Sequence, residues 1–79
     1  MHKRDELMDA QSCFRRARAD ELLFVLLGRD VAAPATIRFW CEERVRLGKN
    51  QADDAQIAEA LAVAREMERD HQLILGVKP

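Results

Sequence analysis

The chain has 79 residues, of which 48% are hydrophobic and 34% are charged, with 13 Lys and Arg against 14 Asp and Glu. This length predicts one small domain spanning residues 1–79, and the hydrophobic share excludes a wholly disordered chain. The near-zero net charge disfavours nucleic acid as a partner, because sequence-independent binding to phosphates needs a positive field.

Residues 3–19, within an N-terminal segment 1–20, are predicted to form a first helix. Leu7, Ala10 and Phe14 recur at helical spacing and define one apolar face. Acidic residues lie toward the start of the segment and arginines toward its end, which complements the helix dipole.

Residues 22–27 (Leu-Leu-Phe-Val-Leu-Leu) are uniformly apolar and are followed by Gly28. A short continuous run of this kind predicts a strand buried on both faces, with a helix ended by Gly28 as the alternative. The backbone of a lone strand needs a partner, either residues 73–77 or a second copy of the chain. Small domains bury little surface, so we expect a homo-oligomer. The predicted interface residues are Leu22, Phe24, Val25 and Leu26.

Two further helices are predicted in the core segment 21–71. The first covers residues 34–47, with Pro34 in its first turn and Gly48 as a left-handed cap. Its expected inner face contains Ile37, Trp40, Cys41, Arg44 and Val45. The second starts after Asp53, where Gln56 completes a capping-box pattern, and ends near His71. Its expected buried stripe contains Ile57, Leu61, Ala64 and Met67.

The last segment, residues 72–79, is predicted to be a tail. Within it residues 73–77 form a short edge strand, a docked tail or a frayed end. The predicted fold is therefore α+β and mainly helical, in the order helix, short strand, helix, helix, with the strand paired across a homo-oligomer.

Catalytic and metal-binding patterns are weak in this sequence. Cys13, Cys41, His2 and His71 share no metal-ligand spacing, and the adjacent carboxylates diverge on a helix. We therefore expect no enzyme activity, no metal and no cofactor. Both cysteines are expected to be free thiols of a cytoplasmic protein without a signal peptide, and residues 22–27 are too few to span a membrane.

A ligand site is conceivable at the turn after residues 22–27. Arg29, Asp30 and Arg38 could hold a small anion, with Trp40 stacking on a base, if a strand leads into a helix here. The alternative is a solvated Arg29, a turn-forming Asp30 and a core Trp40. That alternative is favoured because the segment lacks the glycine pattern of a phosphate-binding loop.

The order strand, helix, helix also suggests a ribbon-helix-helix regulator that binds DNA. Such a protein needs polar side chains on one strand face, whereas residues 22–27 are apolar on both. A small DNA-binding regulator is therefore the least favoured of the binding functions.

The segment Phe24-Val25-Leu26-Leu27-Gly28-Arg29-Asp30, followed by Ala33-Pro34, Ile37 and Trp40, resembles a loose pattern found in small uncharacterised proteins of bacteriophages and prophages. The resemblance implies a context rather than an activity, and it transfers no site residue. It implies a phage-encoded protein in the host cytoplasm that modulates a host factor or defence system. A protein that sequesters a nucleotide-like signalling ligand is the alternative.

Overall fold

A computed structural model describes the backbone of residues 1–75 and the side chains of residues 1–73. Within residues 1–75 the chain forms four helices and no strand: α1 (Lys3–Met8), α2 (Cys13–Arg16), α3 (Ala33–Arg46) and α4 (Ala55–Leu75). The mainly helical architecture is confirmed. The strand predicted at residues 22–27 does not form in the single chain.

The single helix predicted for residues 3–19 is wrong, because side chains between α1 and α2 take the backbone bonds of a continuous helix. The Asp9 carboxylate accepts the Gln11 N–H at 2.8 Å. The Ser12 hydroxyl accepts the Arg15 N–H at 3.1 Å as the N-cap of α2, and it donates to the Glu6 carbonyl at 2.6 Å. The segment therefore folds into two short helices with no buried residue.

The second predicted helix, residues 34–47, is confirmed to within one residue at each end as α3, with Pro34 in its first turn. Pro34 fits there because the first turn of a helix leaves its N–H groups without helical acceptors. Asp30 stabilises the turn that precedes α3. Its carboxylate accepts the Ala32 N–H at 2.9 Å, and its carbonyl accepts the Ala33 N–H at 3.0 Å. Gly48 follows the helix with φ at +73°, the left-handed conformation predicted for it.

The last helix, α4, begins at Ala55 and continues to Leu75, so two predicted boundaries are wrong. Asp54, not Asp53, directly precedes the helix, and its carboxylate accepts the Gln51 N–H and an Asn50 amide N–H, both at 2.9 Å. Residues 73–75 are helical, so they offer no edge strand to residues 22–27. The remainder of the tail, residues 76–79, lies outside the described residues.

Helices α3 and α4 pack as an antiparallel hairpin that contains the core. Much of the predicted inner face and stripe is confirmed: Cys41, Ile57 and Ala64 are buried, and Ile37 and Leu61 pack partly buried against the core. The small residues Ala60 and Ala64 face α3, where they allow close approach of the two helix backbones. Trp40 is not a core residue, because 40% of its surface is exposed.

The chain is more extended than a globular domain of its length. Its radius of gyration is 13.9 Å, whereas a compact domain of 79 residues has about 11.6 Å. Its accessible surface is 6679 Å², against about 4,900 Å² expected for a globular monomer of this mass. The hairpin alone is thus too small to shelter the N-terminal third of the chain.

Candidate functional site

Residues 22–27, hereafter the apolar segment, connect α2 to the turn before α3 and lie in irregular backbone. Leu22 is 98% exposed, Phe24 is 85% exposed and Val25 is 68% exposed. Leu26 is half-buried, and Leu23 and Leu27 are each about half exposed. Burial on both faces is therefore absent in the single chain: of the four predicted interface residues, Leu22, Phe24 and Val25 are exposed and Leu26 is half-buried.

The apolar segment is anchored to the hairpin at its C-terminal end. The Nε2 atom of His71, on α4, lies 2.7 Å from the carbonyl oxygen of Gly28. The Leu27 carbonyl accepts the Asp30 N–H at 3.0 Å, which closes a turn at the same point. Sequence reasoning missed the role of His71, since nothing in a single sequence couples residues 43 positions apart.

The predicted ligand residues do not form one site around Arg29. Arg38 makes a two-pronged ion pair across the hairpin with Glu68, in which Nη1 donates to Oε2 at 3.0 Å and Nη2 to Oε1. Asp30 forms the turn before α3 through its own backbone neighbours. Arg29 is exposed. Anion binding by these residues stays a prediction, and an incoming anion would have to compete with Glu68 for Arg38.

The Arg38–Glu68 contact has a clear electrostatic signature. The hydrogen bonds from Arg38 lower the pKa of Glu68 below its ordinary value, against a smaller opposing effect of desolvation. The same contact raises the pKa of Arg38. Because both side chains are about 40% exposed, solvent and salt screen this attraction. The pair links α3 to α4, and its contribution to stability is small.

Trp40, also on α3, contacts Arg44 and not the Arg38–Glu68 pair. The guanidinium carbon of Arg44 lies 5.5 Å from the centroid of the Trp40 ring. Such a cation–π contact orients the indole ring. Arg44 in turn donates from Nε to the Asn50 side-chain oxygen at 2.6 Å, which links α3 to the loop before α4. Trp40 therefore packs against Arg44 at the surface of the hairpin. Its stacking on a ligand stays a prediction.

Two grooves flank the Arg38–Glu68 pair. The first, of about 310 Å³, is partly polar and lies at the open end of the hairpin, lined by Val31, Pro34, Ala35, Arg38, Glu68, His71 and Gln72. The second, hereafter the apolar groove, measures about 520 Å³ and is lined by Arg38, Cys41, Glu42, Val45, Arg46, Ala52, Ile57 and Leu61. Burial, with the neighbouring Glu42 charge, raises the pKa of the Cys41 thiol, so this thiol stays protonated at neutral pH.

The described part of the chain has neither a metal-binding cluster nor a membrane-spanning helix. No group of three or more His, Cys, Asp or Glu side chains there is arranged to hold a metal ion. None of the helices described combines the length and apolar character needed to cross a bilayer.

No protein-family model matches the chain, and no curated protein or solved structure is significantly similar to it. The resemblance to bacteriophage proteins gains no support from these comparisons and stays a hypothesis.

Proposed function

We propose that this protein is a non-enzymatic binding module that acts as a homo-oligomer joined through the apolar segment. The observation that carries the proposal is the exposure of Leu22, Phe24 and Val25 in one uninterrupted apolar run. Contiguous apolar surface of this kind marks interaction sites in soluble proteins.

The size of the exposed surface supports association. Full burial of one Leu, Val or Phe side chain contributes roughly 1.5–3 kcal/mol. A standard protein interface buries about 800 Å² on each partner. With 6679 Å² of accessible surface, the chain exposes roughly 1,800 Å² more than a globular monomer of its mass. One such interface would still leave the molecule less compact than average.

A second copy is the partner that the chain's own properties favour. The net charge of −1 means that two copies repel each other little at neutral pH. Two geometries suit such a contact: the two identical segments could pair as strands across a twofold axis, or each segment could dock on another surface of the second copy. A phage-encoded modulator of a host factor is one biological role for such an oligomer, supported by the sequence resemblance alone.

The proposal is tested by light scattering on the wild type and Phe24→Asp. We expect the wild type at micromolar concentration to exceed the 9.1 kDa mass of one chain. Phe24→Asp should give a folded monomer, since Phe24 is 85% exposed and its replacement leaves the hairpin intact. A charge buried without a partner in the interface explains the expected dissociation.

Phe39→Asp is the matched control, because Phe39 is an equally large side chain, 63% exposed on α3 and outside the apolar segment. It should associate like the wild type. A wild type that stays monomeric throughout the micromolar range would overturn the proposal, as would unchanged assembly of Phe24→Asp.

A further inference from the structure

We infer that the apolar groove of one copy receives the apolar segment of a second copy. This inference rests on the proposed self-association and specifies its geometry. The apolar groove is the larger of the two described above, and it is lined mainly by Cys41, Val45, Ala52, Ile57 and Leu61. Three charged side chains also line the groove: Arg38, Glu42 and Arg46.

Two of the three charged groups beside the groove, Arg38 and Arg46, are paired within the hairpin. Arg38 is paired with Glu68, and Arg46 donates to Glu43 at 2.9 and 2.7 Å. The groove therefore does not attract a strongly charged ligand, and an uncharged apolar peptide suits it better. The apolar segment, which has six consecutive uncharged residues, has that chemistry.

The reach of the chain favours a second copy over the molecule's own segment. His71 holds Gly28 beside the open end of the hairpin. Four residues separate Gly28 from Phe24, which is about 13 Å of extended chain. Along α4, fourteen residues separate His71 from Ile57, about 21 Å of helix. Phe24 and Val25 thus fall short of the groove's far half in their own chain.

Reciprocal exchange also doubles the surface buried in one association event. In a twofold dimer each segment enters the other copy's groove, so two identical contacts form together. A one-way contact, with one segment in one groove, would bury half as much for each pair of chains. Phe24, 85% exposed, and Val45, 37% exposed, are the side chains that this exchange would cover.

The test is disulfide trapping between two single-cysteine variants. Both carry Cys13→Ser and Cys41→Ala; one adds Val25→Cys and the other adds Val45→Cys. Mixed and oxidised with diamide, they should form a covalent heterodimer, at least tenfold more than a mixture of Val25→Cys and Phe39→Cys. Phe39 is the control position because it is exposed on α3 but does not line the groove.

Other products separate this inference from the proposed function. Val25→Cys chains that link mainly to one another would show paired segments, which overturns the groove inference while self-association stands. A chain carrying both Val25→Cys and Val45→Cys that closes on itself as a monomer would also overturn it. Absence of any covalent dimer, with wild type monomeric by light scattering, would overturn both.

A second test uses a variant without cysteine substitutions, so it does not depend on the folding of the cysteine variants. Val45→Glu places a charge in the groove at a site already 37% exposed, so the hairpin should stay folded. We expect it to weaken association at least tenfold, whereas Leu73→Glu, at an 83% exposed site on α4, should not. Wild-type association of folded Val45→Glu would contradict the inference.

Discussion

Gly48 and Gly28 each follow a predicted element in the sequence, but their backbone conformations differ. Gly48 has φ at +73°, whereas Gly28 is outside the left-handed region, and neither has an atom within 4 Å of an added Cβ. Gly48→Ala should therefore destabilise the hairpin by about 1 kcal/mol through backbone strain alone. Gly28→Ala should be neutral or slightly stabilising. Thermal unfolding of the two variants checks this; equal melting temperatures would contradict it.

The ion pair between Arg38 and Glu68 predicts a pH dependence. The pKa of Glu68 is lowered in the folded chain, so the pair's stabilisation is present above the ordinary value of 4.5 and is lost as pH falls through the lower folded value. Glu68→Gln should thus be less stable than wild type at pH 7, with the gap closing toward pH 3. Urea unfolding at several pH values checks this. Glu66→Gln, at an exposed site on α4, should show no such gap.

At the scale of elements, the α3–α4 hairpin should carry most of the stability, since the described core lies in it. Ile57 is 3% exposed, so Ile57→Ala should cost roughly 2–4 kcal/mol by leaving a cavity. Leu73→Ala, at an 83% exposed site on the same helix, should change stability by less than about 0.5 kcal/mol. Denaturant midpoints measure both, and a small effect of Ile57→Ala would show that the core lies elsewhere.

Local sequence signals predicted α3 well because its start and its glycine cap agree with the tertiary structure, as do Ile37 and Cys41 of its predicted inner face, whereas Trp40 and Val45 of that face are exposed. They failed in the N-terminal segment, where helical spacing was outweighed by the capping side chains of Asp9 and Ser12. The strand at residues 22–27 could not be predicted reliably either, because strand formation depends on a partner that local sequence does not specify. Of the candidate site, sequence analysis found the apolar segment but missed the apolar groove and the His71 anchor, which depend on how α3 meets α4.

At the scale of the whole molecule, a small hairpin core is joined to a longer N-terminal region that it does not cover. The helices of that region contact each other rather than the hairpin, and the described link runs through Gly28 and His71. Such a chain is marginal alone, and the proposed association would supply the burial that its own core lacks. Self-association is therefore part of the account of stability as well as of function.

Hydrogen exchange of residues 22–27, followed by mass spectrometry across a dilution series, tests this account most directly. In a concentrated sample the account predicts slow exchange of these amides, and in a dilute sample fast exchange, with α3 and α4 protected in both. Fast exchange of residues 22–27 in the concentrated sample, beside a protected hairpin, would contradict it, because the apolar segment would then face water in every state of the protein.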